Sequence, residues 1–191
     1  MIGYAFCASF CTHERSLEQM KTLAEAGHDI LPIVSERVFS TDTRFGTAEA
    51  FRQKIIKICG KGPVHSVVEA EKFGPQIKLD ALVVAPCTGN TLAKCAQGIT
   101  DSSVTMAIKA QLRNESPVLL ALCSNDALSA NLKNIGAMLE KKNVYFLPLY
   151  QDDPQRKPYS LISDFKALPI CLDMALHGKQ YQPLFGMIDR G

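Results

Sequence analysis

The sequence predicts a three-layer α/β fold, a mostly parallel sheet with helices on both faces. Short apolar runs of strand length alternate with amphipathic segments of helix length along the whole chain, the pattern of βαβ units. No repeat, low-complexity run or linker interrupts that alternation, so residues 1–191 read as a single domain. A length of 191 residues with 47% hydrophobic and 21% charged content is ample for a packed core and excludes a disordered chain or a coiled coil.

Ile2 to Cys7 reads as an apolar strand and Ala8 to Thr12 as a small-residue turn. Glu14 to Ala26 is an amphipathic helix with Leu17, Met20, Leu23 and Ala24 on one face and Gly27 as its stop. Asp29 to Val34 is a second strand, Ser40 to Thr47 an irregular polar loop, and Ala48 to Cys59 a helix with Phe51, Ile55 and Ile58 inward. Val64 to Val68 reads as a short strand and KFGP as a turn. Ala81 to Ala85, bounded by Asp80 and Pro86, is a buried strand; Pro86 to Asn90 is a tight turn, and Thr91 to Gln97 a helix closed by Gly98. A helix over Val104 to Leu112, a strand over Pro117 to Leu122, a helix over Leu128 to Lys141 and a strand over Val144 to Leu149 follow. The Pro-rich polar loop Gln151 to Tyr159 fits an active-site flap or a plain surface loop, and Leu161 to His177 reads as the last helix.

Composition excludes several functions. A net charge of +2, without a basic cluster or an aromatic-interleaved basic stripe, offers no argument for nucleic acid. No apolar run approaches the ~18–20 residues of a membrane span, and the N-terminus reads as a first strand without a signal leader. The expectation is a soluble, intracellular protein. Seven cysteines are present with no C-x-x-C pair. Cys7, Cys11 and His13 lack a fourth ligand at zinc-site spacing, so no metal is expected. Cys87 and Cys123 fall at strand ends, as ligand contacts or as reduced packing thiols.

The stretch DALVVAPCTGNTLAKCAQGITD, Asp80 to Asp101, organises the chain. A strand that feeds a helix through small polar residues turns hydroxyls and backbone N–H groups toward the crevice at the carboxyl ends of an open sheet. The same stretch also reads as an ordinary strand-to-helix turn capped by Thr88 or Asn90. In flavodoxin-like order, Ser9 and Thr12, Ser35, Thr88 to Thr91, and Ser124 to Asp126 would line one crevice. Such groups suit a phosphate and a polar heterocycle. His13 lies near enough to act as acid or base, or is a core histidine. His65 reads as a strand-edge residue, and His28 and His177 as helix-end residues.

These residues carry a resemblance. APCTGNTLAK is similar to the PASANT-type motif of the homo-oligomeric flavin-containing cysteine decarboxylases, with Pro86, Asn90 and Thr91 kept, and SNDALSANLKNIG resembles their second motif, with Asn125 at its Asn. TRFG (Thr43 to Gly46), AEKFGP (Ala70 to Pro75), APCTGNTLAK, KAQLRN (Lys109 to Asn114), KNIG (Lys133 to Gly136) and QDDPQRKP resemble, in order and at matching intervals, the B-type subunits of dipicolinate synthases. The decarboxylases' His before the central strand has no counterpart in KFGPQIKLD, and the Met and Trp of the second motif are absent, so cysteine decarboxylation is rejected.

The resemblance implies a Rossmann/flavodoxin-like flavoprotein fold. It also implies oxidation of dihydrodipicolinate to dipicolinate together with the NAD(P)-binding A-type subunit of dipicolinate synthase, which holds NADP, in the mother-cell cytoplasm of a sporulating bacterium. FMN is the implied cofactor. The phosphate-binding first loop falls on Ala8, Ser9 and Phe10, the second flavin loop on Thr88, Gly89, Asn90 and Thr91, and Asn125 faces the substrate. Ala8 stands where relatives carry glycine, which restricts close approach of a phosphate. His13, Asn125 and Arg44 are the catalytic candidates. Arg44, Lys94, Lys109, Arg113 and Lys157 are candidate partners for the substrate's two carboxylates, with Arg44 and Arg113 equally readable as surface ion-pair residues. Homo-oligomers, commonly of trimeric units, are expected. The chain is then a catalytic component of the complex, a flavin redox module, or a structural or regulatory component.

Overall fold

The computed structural model describes residues 1–186, so residues 187–191 of the expected domain lie outside it. Its centre is a seven-stranded sheet built from β1 (Ile2–Phe6), β2 (Ile30–Val34), β3 (Ala81–Thr88), β4 (Val118–Ser124), β5 (Val144–Phe146), β6 (Leu149–Tyr150) and β7 (Leu161–Ser163). The strand order is β2-β1-β3-β4-β7-β6, with β5 also on β4. β1 to β5 pair in parallel; β7 runs antiparallel to β4 and to β6. β4 thus shares one edge between two partners, Val118 to Leu120 with β5 and Cys123 and Ser124 with β7.

Two apolar layers follow from strand alternation. Ile2, Tyr4 and Phe6, then Ala81, Val83 and Ala85, and Leu119 and Ala121 face one layer. It is closed by α1 (His13–Glu25), α3 (Ala48–Cys59) and α8 (Leu168–Leu176). Ala5 and Cys7, Leu82 and Val84, and Val118, Leu120 and Leu122 face the other. That layer is covered by α4 (Val67–Ala70), α5 (Gly89–Ala96), α6 (Ser103–Arg113) and α7 (Leu132–Leu139). Because both faces are covered, the central strands read as continuous apolar runs.

The structure departs from the sequence reading where local hydrogen bonding competes with periodicity. A short helix, α2 (Glu36–Ser40), precedes the expected polar loop and takes in its first residue, Ser40; it is started by Ser35, whose hydroxyl accepts from Val38 N–H at 3.3 Å. Val64 makes a single bridge to Ile33, but Val67–Ala70 is helical: Ser66 and Glu69 form a reciprocal capping box that a strand could not satisfy. β3 continues through Pro86 to Thr88, with its register on β4 shifting between Val84 and Cys87, and α5 begins at Gly89, so the expected turn from Pro86 to Asn90 is divided between strand and helix. The helix expected from Leu128 starts at Leu132. The strand expected over Val144 to Leu149 is two, β5 and β6, flanking Leu147 and Pro148.

The largest correction is the final helix, which begins at Leu168. Leu161–Ser163 is strand β7, Asp164 accepts from Lys166 N–H at 3.0 Å to start a 3-10 turn, and Pro169 sits in the first turn of α8, where its missing N–H costs nothing. Among the described residues no helix is long and apolar enough to cross a membrane.

The polypeptide after α8 closes the sheet edge. The Gln180 side chain accepts from Phe146 N–H at 2.9 Å and donates to Phe146 C=O at 2.8 Å, standing in for a neighbouring strand, and Leu149 N–H donates to Leu184 C=O at 2.9 Å. Phe146 is fully buried. Gln180→Ala is therefore expected to cost about 1–3 kcal/mol, the penalty of leaving buried backbone groups unpaired. Urea unfolding measures it; an unchanged midpoint would mean that water replaces the clasp.

Candidate functional site

Strand order reverses between β1 and β3, and the loops leaving their carboxyl ends flank the resulting crevice. Cys7–Phe10 lies on one side and Thr88–Thr91 on the other. The two are joined directly: Cys7 N–H donates to Pro86 C=O at 3.1 Å, and the Thr91 hydroxyl donates to Cys7 Sγ at 3.3 Å. Thr88 caps α5, its hydroxyl accepting from Thr91 N–H at 3.2 Å and donating to Thr91 Oγ1 at 3.1 Å. Thr91 is buried, so its hydroxyl holds the two loops together and is not offered outward. On the first loop, Thr12 Oγ1 donates to Ser9 C=O at 2.8 Å and to Ser9 Oγ at 3.2 Å, and Phe10 opens the 3-10 turn leading into α1.

Asn90 and Asn125 are the exposed amides of the crevice. Each lies two residues beyond the paired positions Thr88 and Cys123, so the two side chains rise from neighbouring strand ends. Among the described residues neither amide has a hydrogen-bond partner, whereas the hydroxyls around them are engaged. Gly89, next to Asn90 in the chain, is buried. A Cβ there would stand 2.7 Å from Asn131 Nδ2 and 3.0 Å from Asp126 Oδ1, and closer still to Ser124 Oγ. The neighbours decide this glycine, since nothing in its backbone conformation demands it.

His13 is drawn inward. It is 6% exposed, its Nε2 lies 2.8 Å from Cys7 C=O, and its ring stacks on Phe51 at 4.5 Å and meets Phe6 edge-on. Burial lowers its pKa, which keeps the ring neutral and donating to Cys7. Burial also raises the thiols nearby, Cys7 to about 11 and Cys123 to about 11, so they are protonated packing groups. Asp126 is held below the ordinary carboxylate range first by the Ser124 hydroxyl and then by Asn131. Among the described residues no set of three or more His, Cys, Asp or Glu could hold a metal ion.

The sequence-nominated cations separate. Arg44 is exposed above the Phe45 ring at 4.9 Å, on a loop that walls a cavity of about 120 Å3 together with Phe10, Cys11, His13 and Phe51. Lys94 is paired with both oxygens of Asp101 at 2.9 and 2.7 Å, and Lys157 with Asp152 at 3.1 Å. Arg113 ends α6, just before β4 begins, and so lies at the opposite end of the sheet from the crevice. Sequence reasoning missed Arg15, exposed on the first turn of α1, whose charge draws the Cys123 thiol down against its burial. It also missed Asn131 and Asn134, whose burial inside a polar stretch only three-dimensional packing reveals. The loop Gln151 to Tyr159 bonds mainly to itself, as through Gln151 Nε2 to Pro158 C=O at 2.9 Å, and its Tyr159 C=O accepts from Leu128 N–H at 2.9 Å beyond β4.

Comparison with known proteins agrees with this geometry. The sequence model of the family described as Flavoprotein matches residues 9–164. The chain is 40% identical over 183 residues to the B subunit of dipicolinate synthase from Bacillus subtilis (strain 168), covering 96% of this chain and 92% of that one. The crystal structure of the dipicolinate synthase B subunit from Bacillus halodurans C superposes with a TM-score of 0.89 at 43% identity, covering 98% of this chain and 96% of that one. The FMN-dependent cysteine decarboxylase SpaF shares the fold, with a TM-score of 0.67 at 22% identity over 91% of this chain and 95% of that one.

A pH prediction follows from His13. Its folded pKa lies below the unfolded value of about 6.5, so the unfolded chain binds the proton more readily, and the stability His13 contributes is lost as pH falls below that value. Urea midpoints at pH 7.5 and 5.5 are expected to differ more for the native chain than for His13→Gln; equal differences would contradict a buried neutral ring.

Proposed function

The chain belongs to the flavoprotein family, and from that premise we propose that it is the B-type subunit of a dipicolinate-forming oxidoreductase. In this reading it is a single domain that acts with an NAD(P)-binding A-type subunit to oxidise dihydrodipicolinate to dipicolinate in the mother-cell cytoplasm of a sporulating bacterium. The likeness to B-type subunits spans nearly the whole chain and supports this assignment. The observation that carries it furthest is the crevice itself: two exposed carboxamides, Asn90 and Asn125, at the strand-order reversal, among groups held neutral or already bonded.

Carboxamides pair with the donor–acceptor edge of a planar heterocycle and cannot carry protons at neutral pH. The residues present fit FMN on this criterion. Ser9, Phe10 and the start of α5 at Thr88, Gly89 and Asn90 would hold its phosphate and ribityl chain, with Asn90 also at its ring edge and Thr91 fixing the loop from beneath. Bound flavin would supply two-electron redox chemistry. Asn125 would face the substrate, with Arg44 and Arg15, both exposed, as candidate partners for its carboxylates. Oxidation of dihydrodipicolinate gives up a hydride and a proton; nicotinamide on the A-type partner would be the final acceptor of the hydride, and the proton would leave to a base outside this crevice. A cavity of about 120 Å3 beside the first loop falls below the roughly 300–1,000 Å3 of ligand pockets. A second copy of this chain, or the A-type partner, would complete the enclosure, consistent with homo-oligomers inside a heteromeric complex.

The test is reconstitution with the A-type partner, following NADPH formation from dihydrodipicolinate. Asn90→Ala is expected to lower turnover at least tenfold, about 1.4 kcal/mol of transition-state stabilisation, while gel filtration shows the complex intact. Unchanged turnover in an intact complex would overturn the proposal and leave a purely structural role.

A further inference from the structure

Beyond β4 a set of polar side chains closes on itself. Ser124 Oγ donates to Asp126 Oδ1, and Asn131 Nδ2 lies 2.9 Å from both Asp126 oxygens. Asn131 N–H donates to Asp126 C=O at 3.1 Å, and Asn131 Oδ1 accepts from Asn134 Nδ2 at 2.9 Å. Asn131 and Asn134 are buried. Asn131 stands at the start of α7, but its side chain caps no N–H of that helix and is committed to Asp126 instead. Helices α5 and α7 pack together, and the set presses against Gly89 on the first turn of α5. The space a Cβ at Gly89 would occupy is already filled by Ser124, Asn131 and Asp126.

We propose that Asp126 is a positioning residue for the crevice, holding the loop after β4 against the first turn of α5 so that Asn90 and Asn125 keep a fixed separation. Asp126 Oδ1 takes both Ser124 and Asn131, and Oδ2 takes Asn131 a second time, so both oxygens of the carboxylate face donors. An Asn at 126 keeps an oxygen for Ser124 but sets its NH2 against Asn131 Nδ2, a donor whose own oxygen is already taken by Asn134, and so loosens the hold on Asn131. Asp126 acts through the two amides and does not itself touch the reacting atoms. Its effect on ligand affinity rests on the flavin reading above; the mechanical coupling does not.

Hydrogen exchange of the full chain, read by mass spectrometry without ligand, tests the coupling. Asp126→Asn is expected to speed exchange at least tenfold in residues 89–93 of α5 as well as in residues 125–132, with little change in the sheet. Gly89→Ala, which strains the same contact from the opposite side, is expected to speed exchange in residues 125–132; it decides the matter if Asp126→Asn does not fold. Acceleration confined to the mutated segment would overturn the proposal. FMN titration is the second readout: Asp126→Asn is expected to weaken binding at least tenfold and to shift the absorption spectrum of the flavin that remains bound. Unaltered affinity and spectrum alongside altered exchange would also overturn it. If the native chain binds no FMN, the flavin reading fails on that result alone, and coupled exchange would still support the positioning role.

Discussion

The structure depends on one join, made where strand order reverses. Cys7 at the end of β1 is bonded through its N–H to Pro86 and through its sulfur to the Thr91 hydroxyl. Its carbonyl is bonded to His13. Ser16, one turn into α1, donates its hydroxyl to the carbonyl of Ala85. β3 therefore leaves its regular register after Val84 under constraint from both neighbours, and the first loop, α1 and α5 all begin at one level. Each polar group in this join is buried and partnered, which makes the join costly to break. The exposed amides depend on it, because Asn90 sits one residue before Thr91.

Much of the fold was legible because parallel strands buried on both faces leave continuous apolar runs; β1, β2, β3 and β4 all announce themselves that way. What was not legible was decided by partners distant in sequence. Leu161–Ser163 has enough apolar content for a helix start and becomes strand because Cys123 and Ser124 offer an open edge. Pro86 reads as a turn residue, yet it lies in strand, where its carbonyl meets Cys7.

The candidate site was half legible for the same reason. Thr88 closes a strand, Asn90 and Ser9 lie just beyond strand ends, and all three could be read from position alone. His13 could be placed near the crevice, but the aromatic stack with Phe51 that makes it a core residue joins α1 to α3. Lys94 reads as available in sequence, and only the fold brings Asp101 back onto it. Asp126 was visible only as one polar residue among three after β4, because the contact that gives it a role is with Gly89, 37 positions earlier in the chain.

Charge is sparse where the two loops meet and ionic pairs are spent elsewhere, so a crevice of amides and hydroxyls has the chemistry of a heterocycle-binding surface more than that of a self-sufficient acid–base site. The most direct test of that claim is titration of the purified chain with FMN, read by flavin fluorescence quenching and by mass spectrometry of the denatured protein. Saturable binding of one FMN per chain, released intact on denaturation, is the expected result. No binding in the presence of excess FMN would contradict it and return the crevice to a substrate or partner surface.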